Sequence, residues 1–168
     1  GYGNITMRQL AQKLGVSTGT LYHYFSSKET IFLQLVAQLA QQDIANFLTQ
    51  AESIAPDIRS RLQAILDFVR ADLDYFAKQV LISTDYYKHH AQTKQPLDPV
   101  FAGVEWATIA AVDEFLGINN SSVSEFIVTF INGLIWGQIY LPNLKTWDRQ
   151  TSILIDMVEL KINSKLWA

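Results

Sequence analysis

The feature that most constrains this chain is a glycine, Gly15, set between two short amphipathic stretches, Thr6–Leu14 and Ser17–Tyr24. Two brief helices can cross at a steep angle only where a very small residue lets their backbones approach, and Ala11 is placed for that contact. A sharp connection between them favours positive φ, which glycine adopts without steric cost. Leu10, Leu14, Val16 and Leu21 are expected to lock the pair together. Thr6 is positioned to cap the first helix, with Gln9 completing a capping box, and Ser17 to cap the second. The pattern predicts a helix-turn-helix.

The surface of the second helix suggests what that motif meets. Ser17, Thr18, Gly19 and Thr20 are small and polar at its amino end, where free N–H groups and the positive dipole end attract phosphate. Tyr22, His23 and Tyr24 carry donors long enough to reach a DNA backbone or base edges from the major groove. One of the two tyrosines is expected to pack inward with Leu21 and Phe25. Lys28, just beyond, is placed for a flanking phosphate. The net charge of −3 looks unsuited to nucleic acid, but residues 1–28 hold three bases and no acid, while the remaining 140 residues hold all 16 acids against 10 bases. A small basic head on an acidic body fits a protein whose head alone meets phosphate.

Beyond the motif, apolar periodicity predicts helices throughout and no strand alternation, so the fold class is all-α. Ser26 and Glu29 suggest a second capping box opening a long helix over 27–50. Further helices are expected over 56–76, 79–90, 100–116 (ending at Gly117), 122–140 and 147–164, with a clear break at 93–99 and another at Pro142. Hydrophobic residues make up 49% and charged residues 17%, enough for a sizeable core. The absence of cysteine rules out disulfides, a thiol nucleophile and thiolate metal sites, and agrees with a reducing cytoplasm. No basic flank followed by an apolar run opens the chain as in a secretory leader. Nucleophile elbows, phosphate-cradling glycine loops and His-Glu metal spacings are missing, so neither an enzyme nor a cofactor is expected. Asp72 and Asp74 diverge on a helix, and Asp85 with His89 is read as a surface ion pair, not as a site with His90.

Gly1-Tyr2, Thr6, Leu10-Ala11, Gly15-Val16-Ser17, Gly19-Thr20-Leu21-Tyr22, Tyr24-Phe25 and Ser27-Lys28-Glu29 together resemble the DNA-binding signature of TetR/AcrR-family transcriptional regulators. The resemblance covers roughly residues 1–36. It implies a helix-turn-helix head over 1–46 and a helical ligand-binding and dimerisation domain over 47–168. It also implies that Thr18, Gly19, Thr20, Tyr22, His23, Tyr24 and Lys28 lie at the DNA face, with Thr6 and Arg8 near a phosphate. Family members carry a further helix ahead of the glycine matching Gly1, so the head is expected to lack one wall of its small core and to bind more tightly once that helix is restored. The implied partners are operator DNA, a second copy of the chain and a small effector. A helical interaction module that has kept the fold but lost DNA binding is the alternative.

The same resemblance places an effector cavity among the helices between Ile54 and Phe115. Candidate lining residues are Phe68, Tyr75, Phe76, Tyr86, Tyr87, His90, Trp106 and Phe115, with Trp136 and Tyr140 nearby and Glu105 as a polar anchor. Their character suggests a hydrophobic or aromatic ligand. It further implies that the last two helices pair with their copies in a four-helix bundle. Phe126, Ile127, Phe130 and Leu134 leave little polar face, so this helix must be buried on more than one side. Leu154, Met157 and Val158 supply a second stripe, and Gly133 and Gly137 would let a partner helix approach closely. A membrane span is not expected: the apolar run from Phe126 to Leu141 is 16 residues and includes Asn132 and Gln138, short of the roughly 20 a bilayer requires.

Overall fold

In a computed structural model, which describes residues 1–94 and 96–164, the chain is all-α. A 3₁₀ turn, Tyr2–Asn4, precedes α1 (Met7–Leu14), α2 (Thr18–Tyr24), α3 (Lys28–Gln50), α4 (Ile58–Ala71), α5 (Leu73–Thr93), α6 (Pro99–Leu116), α7 (Ser121–Tyr140) and α8 (Leu144–Asn163). Gln95, inside the expected break between the fifth and sixth helices, lies outside the described residues. Among the described residues, no helix is long and apolar enough to cross a membrane.

Local side chains set most of the boundaries. Thr6 Oγ1 accepts the Gln9 N–H at 3.2 Å while Gln9 Oε1 accepts the Thr6 N–H at 2.9 Å, the reciprocal box that the sequence predicts. Ser17 Oγ accepts the Thr20 N–H at 2.9 Å. The second box does not form: Ser27, not Ser26, caps α3 by accepting the Thr30 N–H at 3.1 Å, and the Glu29 side chain is engaged elsewhere. Asp57 caps α4, so this helix starts two residues after Pro56. It also ends earlier than the apolar stripe suggests, because Asp72 leaves helical geometry and its carboxylate accepts the Tyr75 N–H at 3.3 Å. That cap makes α5 one helix across the break expected between residues 76 and 79. Asn143 accepts the N–H groups of Lys145 and Thr146, which starts α8 three residues ahead of Trp147.

The chain gathers into two compact units. One comprises Gly1–Gln42 and Leu81–Glu105; the other comprises Asp43–Val80 and the residues from Trp106 onward. Helices α3, α5 and α6 each contribute a part to both.

In the first unit α1 packs on α2. Met7, Ala11 and Leu21 form a small buried cluster, closed by Leu10, Phe25 and Ile31. Leu14 and Val16 do not join it and stay 64% and 41% exposed; the places expected for them are filled by Phe25 and Ile31 from the following segment. Gly15 stands at φ +69°, and its N–H returns to the Gln12 carbonyl. An added Cβ there would meet nothing within 4 Å, so Gly15→Ala costs only the left-handed backbone, about 1 kcal/mol. A urea titration should show that loss without a change in slope; no loss would mean the bend does not need glycine.

The second unit is built around α7. Val123, Ile127, Ile131 and Ile135, spaced by one turn, meet Leu62, Ile65, Leu66 and Val69 of α4 and Trp147, Leu154, Ile155 and Val158 of α8 in a single core, joined by Leu116 of α6. Asp113 staples α6 to α7, its Oδ1 accepting the Asn120 N–H at 3.0 Å and the Ser124 hydroxyl at 2.8 Å. At the surface Arg59 reaches both Asp156 and Glu159, and Arg70 lies 2.6 Å from Asp148, fastening α4 to α8.

Candidate nucleic-acid interface

Of the seven residues of α2 only Leu21 is buried; it is the tooth that seats the helix on α1. Everything else in 17–24 turns outward, Thr18 partly so. The exposed Ser17 and Thr20 hydroxyls lie 2.7 Å apart and hold the first turn. Gly19 is exposed and would admit a Cβ with ordinary contact to Ser17 alone. Tyr22 and Tyr24 are 53% and 73% exposed. The inward packing expected of one of them does not occur, since Phe25 occupies that position in the cluster. Tyr24 instead stands edge-on to His23, with ring centroids 5.2 Å apart. A phenol, an imidazole and a second phenol in succession thus stand exposed at the end of α2.

Arg8 and Lys13 are exposed on α1, and Thr6 is exposed at its cap. Lys28 is placed differently from the expectation. Its Nζ donates to the Tyr2 carbonyl at 2.8 Å and sits 4.4 Å from the centre of the Tyr2 ring, so its charge is spent partly on binding the amino end of the chain to the start of α3.

Tyr2 stands out in the sequence only as part of a motif; in the structure it anchors the first unit. Its ring lies 5.0 Å from Phe32, 5.1 Å from Tyr86 and 5.4 Å from His89. Burial, and then the nearby Glu29 carboxylate, push its hydroxyl up to about 12. Gly3 donates its N–H to Asp85 Oδ2 at 3.2 Å, so Asp85 serves the backbone and not a surface pair with His89.

The candidate effector residues divide between the two units. Phe68, Phe76 and Phe115 form a ring cluster with Phe47: Phe47 and Phe115 meet edge-on at 4.7 Å, and Phe68 and Phe76 at 5.7 Å. Tyr75 stands beside it with its hydroxyl donating to Asp43 at 3.0 Å, while Gln79 donates to the other Asp43 oxygen at 2.8 Å. Burial, then that hydrogen bond, raise the Tyr75 phenol above its ordinary range. Asp43 escaped the sequence reading, though its place on α3 one turn before Phe47 was visible. Tyr86, Tyr87 and His90 belong to the other unit. Tyr86 and His90 are 0% and 4% exposed and committed to Glu29, whereas Tyr87 lies half-exposed against Phe101. Glu105 and Trp106 are exposed on α6, Trp106 at 58%.

The candidate pairing residues separate by face. Ile127, Leu154 and Val158 fill this chain's own core and present no side-chain surface. Phe126, Gly133, Gly137 and Met157 are exposed, with Phe130 and Leu134 half-buried. An apolar groove runs there between Val123, Phe126, Met157 and Leu160, and a Cβ added at Gly133 or Gly137 would meet nothing within 4 Å.

Residues 1–35 match the family described as bacterial regulatory proteins, tetR family. An HTH-type transcriptional regulator of Staphylococcus aureus (strain bovine RF122 / ET3-1) is 32% identical over 75 residues, which is 45% of this chain and 36% of that relative. Another, from strain USA300, is 31% identical over 75 residues with the same coverage. The chain therefore spans little more than a third of the length of these curated relatives. No solved structure matches it.

Proposed function

We propose that the chain, whose first 35 residues match the tetR family of bacterial regulatory proteins, is a DNA-binding transcriptional repressor that acts as a homodimer and is released by a small effector. The observation that carries the reading is the surface of α2: Leu21 alone is buried, and Tyr22, His23 and Tyr24 stand out to solvent, while Arg8 and Lys13 are exposed on α1. A helix that used its aromatic residues for stability would turn them inward. Two such helices, carried by two copies, read a palindromic operator when they sit about 34 Å apart, one DNA turn. The exposed stripes of α7 and α8 support pairing of the copies. The ring cluster of Phe47, Phe68, Phe76 and Phe115, with the Asp43–Tyr75 pair at its side, supports a hydrophobic or aromatic effector. A ligand that binds better when the two heads are wrongly spaced weakens DNA binding by its differential affinity.

The test uses a labelled duplex selected from a random pool on the unmodified protein. Tyr22→Ala should weaken that complex about tenfold while leaving the melting temperature unchanged, because a base or phosphate contact is lost and no packing is. Arg8→Ala should lower the salt slope of the affinity by about one. A pool in which no duplex is enriched over non-specific DNA would reject the reading.

A further inference from the structure

Glu29 lies in the first turn of α3, five positions past the last residue of α2. One of its oxygens, Oε1, accepts the Tyr86 hydroxyl at 2.7 Å and lies 3.0 Å from His90 Nε2. Tyr86 and His90 are one turn apart on α5 and both buried. Burial first, and then the hydrogen bond to Glu29, hold the Tyr86 phenol well above its ordinary range, so the hydroxyl keeps its proton and serves as the donor. The remaining His90 nitrogen, Nδ1, is buried without a hydrogen-bond partner. The imidazole has the Glu29 carboxylate as a polar neighbour, 3.0 Å from Nε2. The Tyr86 hydroxyl donor and the His90 imidazole nitrogen converging on one oxygen of the partly buried carboxylate make a short, directional joint.

A second joint lies on the same helix. Asp85, next to Tyr86, accepts the Gly3 N–H, and the Tyr2 ring is enclosed by Phe32, Tyr86 and His89. The space at Gly1 is closed by the same carboxylate: an added Cβ would come within 2.3 Å of Asp85 Oδ2. Helix α5 thus holds the segment on both sides of the motif, ahead of α1 through Gly3 and behind α2 through Glu29. None of the α5 residues involved lies on the exposed face of α2.

We propose that Tyr86 and His90, acting through Glu29, are positioning residues for DNA recognition, fixing α2 in the orientation its exposed face needs. The proposal rests on the DNA-binding reading above. It assigns to α5, a helix outside the helix-turn-helix, direct control of how well the motif is presented. Losing the carboxylate takes the acceptor from the buried Tyr86 hydroxyl and the polar neighbour from His90 Nε2 and frees the start of α3, and the short segment from Phe25 to Lys28 passes that freedom to α2. Glutamine at position 29 keeps an oxygen able to accept from Tyr86 and to face His90, so it should restore the joint where alanine does not.

The experiment compares the Glu29→Ala, Glu29→Gln and Tyr86→Phe variants of the whole 168-residue chain with the unmodified chain. It reads affinity for the selected duplex and, without DNA, amide hydrogen exchange along α2, α7 and α8. Glu29→Ala should bind about tenfold more weakly and exchange faster over residues 18–24, with α7 and α8 unchanged. Glu29→Gln should stay within about threefold of the unmodified chain, and Tyr86→Phe, which keeps the ring and loses one donor, should fall between them. If the alanine variant does not fold, Tyr86→Phe against Glu29→Gln carries the same comparison. Unchanged exchange over 18–24 in the alanine and phenylalanine variants, or an equal rise in α7 and α8, overturns the proposal. An unmodified chain that enriches no duplex rejects the DNA reading instead, while the exchange data still judge the joint.

Discussion

Trp147→Ala is expected to remove about 3–5 kcal/mol of stability, the loss seen when a large buried aromatic is truncated to a methyl. Trp147 is 1% exposed and sits where α8 meets the α4 and α7 stripes, in one cluster with Leu62, Leu66, Ile127 and Leu154. Native domains hold only about 5–15 kcal/mol in total, so this substitution takes a large share of it. The ion pairs beside it cannot compensate. Arg70–Asp148 and Arg59 with Asp156 and Glu159 are solvent-exposed on at least one partner, and such pairs contribute about 0–1 kcal/mol each. Trp106→Ala provides the contrast: the same chemical truncation at a 58% exposed site on α6 should cost no more than about 0.5 kcal/mol. Urea titrations followed by far-UV circular dichroism measure both. Equal losses in the two variants would mean that the α4–α7–α8 core is not assembled as described.

How much of this was legible in the sequence depends on the range over which each signal acts. The motif was readable because its determinants are local. Gly15 at φ +69°, the Thr6–Gln9 box and the Ser17 cap all involve residues within three positions of one another, and chain chemistry alone decides them. The α4 and α7 stripes were readable for the same reason, since one-turn spacing marks a face without naming its neighbour. What remained hidden was the neighbour. Glu29 has the position and chemistry of a capping residue, and nothing nearby shows that Tyr86, 57 positions on, takes its carboxylate instead. The spacing of Tyr86 and His90 did mark one face of a helix, but aromatic and imidazole groups on a face suit a ligand cavity and a structural joint equally well. Lys28 shows the same ambiguity, being a phosphate ligand by position and a clamp on Tyr2 by geometry. For α7, apolarity all round implied burial on more than one side. Its own core takes the Val123–Ile135 side and leaves Phe126, Gly133 and Gly137 uncovered.

That uncovered side leads to the largest functional effect expected. Phe126, Phe130, Gly133 and Gly137 recur at intervals of four, three and four on α7, and Ile153, Met157 and Leu160 at four and three on α8, so each set forms one stripe along its helix. If a second copy covers them, Phe126→Glu combined with Met157→Glu places carboxylates where apolar surfaces should meet. Both side chains are about half exposed in the single chain, so its folding should be nearly unaffected while the pair comes apart. A dimer engages the second half-site at an effective concentration set by its own geometry, which raises affinity by roughly 10²–10⁴. The double variant should therefore bind a two-site duplex at least about a hundredfold more weakly, bind a single half-site unchanged, and sediment as a monomer. Gly137→Leu sharpens the test, because its two effects have opposite signs. Leucine in the last turn of α7 should favour the helix by up to roughly 0.5–1 kcal/mol, and the added side chain enters open space in the single chain, yet it would obstruct a helix lying against it. A Gly137→Leu protein that melts higher and still sediments as a dimer on its selected duplex would show that copies do not meet along this stripe.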